Sequence, residues 1–219
     1  MLTGNIILMF FRVKFYNLFH QFGIMFKYYR NLKFGCLDIA FSLIYLFFDP
    51  YKVSKGFLKN MGLKNIHIYG ETPLLSFAKI ISQCNLTDKD YFMDFGSGRS
   101  LNCMWLAINY SCRVVGVEWI ELFVRIGNVF KRHFHIANLE LLNTNRLDID
   151  LNKVTYLYLY DIILSSELVE KLKTLDKGAK IITISYPITY YEIGSYVIQK
   201  IIKVSFPWGQ TYAYVQEKQ

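Results

Sequence analysis

A five-residue turn, Asp94-Phe95-Gly96-Ser97-Gly98, joins a short apolar run, Tyr91-Phe92-Met93, to a stretch of helical character from Arg99 to Tyr110. Glycine lets a backbone turn sharply and come close to a ligand, and the amino end of a helix offers unpaired N–H groups. A strand that runs into a helix through such a turn points to an α/β fold. The rest of the chain keeps the alternation. β-rich runs are expected at Arg113 to Val117, Leu139 to Leu142, Val154 to Tyr160 and Lys180 to Ser185. Helical stretches fall between them at Glu121 to His135 and at Glu167 to Leu175, the second stopped by Gly178. Tyr196 to Val204 and Thr211 to Val215 follow with only the turn Pro207-Trp208-Gly209 between them, which predicts an antiparallel hairpin at the sheet edge. The expectation is a seven-stranded, mostly parallel sheet covered by helices on both faces.

Residues 1–64 differ in character and are expected to form a helical, apolar and basic extension to an α/β domain over 65–219. Its apolar segments, Asn5 to Phe26 and Cys36 to Phe48, are broken by Arg12 and Lys14 and by Asp38. Neither reaches the roughly 18 charge-free residues of a membrane-spanning helix. Asp49-Pro50 marks the break before a short basic connector ending near Lys64. No positive charge precedes the first apolar run, so a secretory signal peptide is not expected. The net charge is +8, and residues 1–64, with nine basic and two acidic groups, hold +7 of it. These charges are interleaved with Phe10, Phe11, Phe15, Phe22, Phe26, Leu43 and Phe47. Such a segment suits a helical lid on the domain or attachment to an anionic membrane surface from the cytoplasmic side.

The nearly neutral remainder offers no basic face, and no NPPY-like tetrapeptide follows the fourth strand, so a nucleic-acid partner is not expected. A hydrophobic content of 53% and a charged content of 19% exclude a disordered chain. The cysteines, at 36, 84, 103 and 112, sit in apolar runs without a CxxC spacing and read as reduced, buried thiols. No metal site is expected: His133 and His135, two apart, would face different sides of a helix.

The glycine turn alone is shared with dinucleotide dehydrogenases, but the third glycine of their fingerprint is replaced by Leu101. Glu118, at the end of the second strand and followed by Trp119, lies about 20 residues beyond the turn, where an acid can accept both ribose hydroxyls of an adenosine cofactor. Asp94 would support the loop and the amino-acid end of the ligand. Two carboxylates flanking Gly96-Ser97-Gly98 therefore favour S-adenosylmethionine over a nicotinamide cofactor.

The segment His67-Ile68-Tyr69-Gly70-Glu71-Thr72-Pro73 precedes the turn by about 20 residues. A YGET segment ahead of a DxGSG loop resembles the class I (seven-strand, Rossmann-like) lysine methyltransferases of the Dot-one type. Tyr156-Leu157-Tyr158-Leu159, the run from Leu175 to Ile188, and Phe206-Pro207-Trp208-Gly209 resemble a related group. That group comprises the small methyltransferases acting on lysines of the ATP synthase c subunit or the adenine nucleotide carrier. The resemblance spans about residues 66–217. It implies that Thr72 folds with Tyr69 and Glu71 over the methionine part of the cofactor, and that Asn145 stands where these families place an acid against the adenine. The Dot-one asparagine at the end of the fourth strand is replaced by Tyr158 or Leu159, which favours the second group.

Methyl transfer to an amine needs alignment, dehydration and a neutral nucleophile, and a dry aromatic channel disfavours the ammonium form. Tyr69, Tyr158, Tyr160 and Tyr186 are the candidates for that channel, and Glu71 for orienting the methionine moiety or the incoming amine. A protein lysine is the favoured acceptor. A small molecule or lipid at a membrane, or a non-catalytic cofactor-binding module, are the alternatives.

Overall fold

A computed structural model describes residues 2–63, 69–160, 164–191 and 196–219 of the chain. The expected boundary at 64/65, His67 and Ile68 lie outside the described residues. Seven strands form one sheet: β1 (Tyr91–Phe95), β2 (Arg113–Glu118), β3 (Leu139–Asn143), β4 (Tyr156–Leu159), β5 (Lys180–Ile184), β6 (Tyr196–Phe206) and β7 (Gly209–Lys218). Their spatial order is β3-β2-β1-β4-β5-β7-β6. The β1–β2, β1–β4, β2–β3 and β4–β5 pairs are parallel, whereas β7 runs antiparallel to both β5 and β6. The expected fold class and the closing hairpin are therefore present. Strands covered on both faces read as unbroken apolar runs, and all four residues of β4 are buried. β6, at the edge, instead alternates buried and exposed positions from Ile202 to Phe206.

Helices α4 (Leu74–Ile81), α5 (Leu101–Asn109) and α6 (Glu121–His133) cover one face with Phe77, Trp105, Phe123 and Phe130. Helix α7 (Ser166–Leu172) and the segments around Leu151 and Ile188 cover the other. α7 ends at Leu172, three residues before the expected stop, because the chain tightens into a turn well ahead of Gly178.

The first 60 residues fold into α1 (Leu2–Tyr28), α2 (Leu32–Phe47) and α3 (Pro50–Asn60). The expected connector after Asp49 is in fact helical. The Asp49 carboxylate accepts the N–H groups of Tyr51 and Lys52, and Pro50 occupies the first turn, where its missing N–H costs nothing. Phe34, Leu37 and Phe41 of α2 are fully buried in the same core as Phe77 and Trp105. Phe41 meets Phe130 edge-on at 5.4 Å and Tyr28 meets Trp105 at 5.2 Å. The opposite face of these helices is bare: Phe15, Phe19, Phe22, Phe26, Leu46 and Phe47 are all more than half exposed. The inner face is thus a lid built into the core, and the outer one is an apolar surface. Cys84, Cys103 and Cys112 are buried, but Cys36 is exposed, because it falls on the outer face between buried Gly35 and Leu37.

Candidate functional site

Parallel strands deliver their carboxyl ends to one edge, where an α/β sheet binds ligands. Asp94, on β1, pairs in register with Gly116 of β2 and Tyr158 of β4, and Glu118 closes β2. The turn between them hangs on β2: the N–H groups of Gly96 and Ser97 both donate to the Val117 carbonyl, at 2.9 and 3.0 Å. Gly98 donates to Glu118 Oε2 at 2.9 Å, and Ile120 N–H donates to Oε1 at 2.8 Å. The Trp119 N–H also bonds this carboxylate, which leaves it one of its four acceptor positions. Burial pushes the Glu118 carboxyl up, against the lowering effect of these backbone bonds. Gly98 has φ +54°, and a Cβ there would sit 3.1 Å from both Glu71 Oε1 and the Tyr69 hydroxyl. Only glycine allows that approach.

Asp94 is 6% exposed, and its partner is the Cys103 thiol, with Sγ 3.4 Å from Oδ2. A thiol is a weak donor. Burial, helped by the charges of Glu118 and Glu71 and opposed by that thiol bond, raises the Asp94 carboxyl to about 7. Such a group faces a strong need for a hydrogen-bond donor or a cation.

Glu71 is fixed from three sides. Arg99 Nε lies 2.8 Å from Oε1 and 3.0 Å from Oε2, Nη2 also bonds Oε2, and the Tyr69 hydroxyl donates to Oε1. The Arg99 backbone N–H adds a longer bond of 3.3 Å to Oε1. Burial acts to raise the Glu71 carboxyl, but Arg99 and Tyr69 together hold it below its usual range. The guanidinium in turn lies over the rings of Tyr45 (4.8 Å) and Phe41 (5.4 Å) from α2. The lid thereby touches the glycine turn through one arginine.

A cavity of about 600 Å³ lies beneath α1 and α2. Glu71, Thr72, Asp94, Gly96, Ser97 and Tyr158 line it, as does Tyr160. Tyr69, Gly98, Glu118, Trp119 and Asn145 do not. Tyr158 is buried between Phe77 and Phe92, with its hydroxyl 2.5 Å from Thr72 Oγ1. The Tyr160 ring packs on Phe206 at 5.3 Å. Tyr186 does not join this channel. The chain turns at Ser185 (φ +70°), and Tyr186 is left 48% exposed against Tyr190. Trp119 is 41% exposed and meets Phe57 of α3 edge-on. The Asn145 side-chain oxygen accepts Leu147 N–H at 3.0 Å as the cap of a short helical turn, which leaves it one acceptor position.

Sequence reasoning missed Arg99, Phe41 and Tyr45. For Arg99 a signal existed: a cation beside a helix amino terminus opposes the helix dipole and implies an acid to hold it. For Phe41 and Tyr45 there was none, since aromatic residues on an apolar helix look alike until their faces are known. Among the described residues no group of His, Cys, Asp and Glu is placed to hold a metal ion.

A family model described as histone methylation protein DOT1 matches residues 56–157. No curated protein matches the chain. Among solved structures, an RNA methyltransferase from Salinibacter ruber, in complex with S-adenosyl-L-homocysteine, is similar with a TM-score of 0.54 and 17% identity, over 68% of this chain and 95% of that one. Geranyl diphosphate C-methyltransferase from Streptomyces coelicolor A3(2) has a TM-score of 0.54 and 14% identity, over 67% of this chain and 77% of that one. A mutant of MtNAS has a TM-score of 0.55 and 13% identity, over 84% of this chain and 77% of that one. That coverage exceeds what residues 65–219 could supply, so the likeness takes in part of the helical lid. At these identities the likeness is one of fold. Sheet order and family match agree: the chain has the fold of the class I, seven-strand methyltransferases and, over residues 56–157, resembles the Dot-one type.

Proposed function

We propose that this chain binds S-adenosylmethionine and catalyses methylation of the side-chain amine of a protein lysine. The observation that carries the cofactor is Asp94, a buried carboxylate that lines the cavity with only a thiol for a donor among the described residues. An ammonium such as that of the cofactor's amino-acid end would satisfy it. Glu118 keeps an acceptor position beside the turn, which suits a ribose hydroxyl. Asn145, with its remaining acceptor position, would take the adenine amino group, and Trp119 would cover the base. Glu71, Thr72, Gly96, Ser97 and Gly98 would border the methionine moiety. The cofactor, when bound, supplies an electrophilic methyl group on a sulfonium.

The chain's own contribution is to align and dehydrate the acceptor. The amine must arrive as its free base, and its lone pair forms the new N–C bond while the S–C electron pair stays on sulfur; the surplus proton then leaves to water. Tyr158 and Tyr160 border this path, and the ring of Tyr158, sealed by Phe77 and Phe92, keeps it dry. Thr72 fixes the Tyr158 hydroxyl, and Tyr69 fixes Glu71. Lysine as acceptor is supported by the match to the DOT1 model and by the YGET segment that the match contains.

A membrane setting is the second reading, and the bare outer face of α1 and α2 favours it. Large apolar side chains there are flanked by the exposed Arg12 and Lys27. No helix among the described residues is long and apolar enough to cross a membrane, so the contact would be peripheral. The acceptor could then be a membrane protein or a lipid. Incubating the protein with labelled cofactor and fractionated cell extract tests both readings. Label on protein lysine supports the proposal, label in lipid supports the alternative acceptor, and no label with cofactor bound leaves a binding module.

A further inference from the structure

The lid does more than cover the site. Asp38 of α2 is 2% exposed and lines the cavity. Its Oδ2 accepts from Gln21 Nε2 and from the Tyr29 hydroxyl, both at 2.8 Å, but no lysine or arginine pairs with it among the described residues. His20, the nearest imidazole, is no substitute, because burial lowers it to about 4 and its Nε2 already accepts Leu75 N–H. An unpaired buried carboxylate is costly unless something compensates its charge.

Tyr45 lies seven residues further along the same helix, on the same face and about 10 Å away along the axis. It is 8% exposed, lines the same cavity, and its hydroxyl has no hydrogen-bond partner among the described residues. Its ring is accounted for by Arg99, but its oxygen is not. Two groups on one helix, an acid without a cation and a sealed hydroxyl without a partner among the described residues, thus lie beside one space. Asp94, Thr72 and Tyr158 line the same space, as do Lys14 and Arg99, the latter already paired with Glu71. The two carboxylates without a cation, Asp38 and Asp94, call for a ligand that donates hydrogen bonds and carries positive charge.

Resting on the methyltransferase reading above, we propose that α2 forms the acceptor subsite, with Asp38 and Tyr45 binding the alkylammonium of a lysine side chain as it enters. Asp38 selects the cation at entry, the proton passes to water as the amine moves on, and the Tyr45 hydroxyl takes up a hydrogen bond further along the helix. The lid would then be a specificity element of the enzyme, although it lies outside the region that matches the family model.

The test uses the full chain and n-butylammonium chloride as the minimal mimic of a lysine side chain, followed by saturation-transfer NMR. n-Butanol serves as the uncharged control, and S-adenosylhomocysteine calorimetry runs in parallel. The wild type should bind butylammonium and not butanol. Asp38→Asn should weaken butylammonium at least tenfold and leave S-adenosylhomocysteine affinity within twofold. Tyr45→Phe, which keeps the ring under Arg99, should weaken the amine about threefold or more with an unchanged melting temperature. Butylammonium bound equally by wild type and both variants, with S-adenosylhomocysteine binding intact, would overturn the subsite alone. Displacement by phosphoethanolamine at equal concentration would overturn it in favour of a lipid headgroup. Should Asp38→Asn not fold, Tyr45→Phe decides. A wild type that binds no S-adenosylhomocysteine refutes the underlying reading instead.

Discussion

Arg99 and Glu71 form a fork-to-carboxylate pair across 28 residues of sequence, with the guanidinium Nε at 2.8 and 3.0 Å from the two carboxylate oxygens. The pair ties the YGET segment to the start of α5, and the same arginine carries the rings of α2 on its face. Both side chains are about three-quarters buried. Removing one partner of such a pair leaves the other charge uncompensated, at about 3 kcal/mol for a largely buried site. Glu71→Gln is therefore expected to lower the melting temperature by roughly 6–12 °C, from about 2–4 °C per kcal/mol for a chain of this size. Turnover should fall as well. Differential scanning calorimetry at low protein concentration checks the first effect. A melting temperature equal to wild type would mean that the pair holds nothing together.

Glu118 anchors the glycine turn and is also the proposed ribose acceptor. Glu118→Ala should weaken S-adenosylhomocysteine binding by about 1–3 kcal/mol, the loss of charge-assisted hydrogen bonds. Glu118→Gln keeps an acceptor oxygen and should lose less. Isothermal titration calorimetry distinguishes the three proteins, and equal affinities would remove Glu118 from the site.

Asp94 gives a pH dependence with a definite sign. Its folded-state value, about 7, lies above the usual 3.8 of an aspartate, so the folded chain holds the proton more tightly than the unfolded one. Stability from this group is full below about pH 4 and is lost as pH rises toward 7. Asp94→Asn removes that loss, so the melting temperature of the variant relative to wild type should climb between pH 5 and pH 8. Affinity for a ligand ammonium runs the other way in the wild type: it should rise with pH across the same range as Asp94 ionises. A pH-independent difference between the two proteins argues against a raised Asp94.

The outer face of the lid can be tested without deleting it. Removing α1 and α2 would strip Phe34, Leu37 and Phe41 from the core, so loss of binding after truncation would be uninformative. Phe15, Phe19 and Phe22 are each more than half exposed, and changing them together to serine leaves the core untouched. Each interfacial Lys or Arg adds about 1 kcal/mol near anionic lipid. Wild type should co-sediment with anionic vesicles at low salt, and the triple variant should stay in the supernatant. Wild type remaining in the supernatant rules out the peripheral contact.

What the sequence determined by itself were the elements governed by local rules. Strand and helix alternation gave the seven strands within one or two residues at most ends, because β-branched runs and glycine stops act over a few residues. The positions of Asp94 and Glu118 beside the glycine turn were legible because strand ends and glycine turns follow local rules. The helix after Asp49 was within reach too, since an acidic cap followed by proline is a local signal. Tertiary structure alone decided which faces of α1 and α2 turn inward. An apolar helix with aromatic residues all round carries no marker of which side meets the core, so Phe41, buried, and Phe47, exposed, could not be told apart. The same holds for Tyr158, which entered the cavity wall, and Tyr186, which a left-handed turn at Ser185 sent to the surface. The meeting of Arg99 with Glu71, Phe41 and Tyr45 joins segments 28 to 58 residues apart. Such contacts follow from packing of whole layers, and no local pattern encodes them.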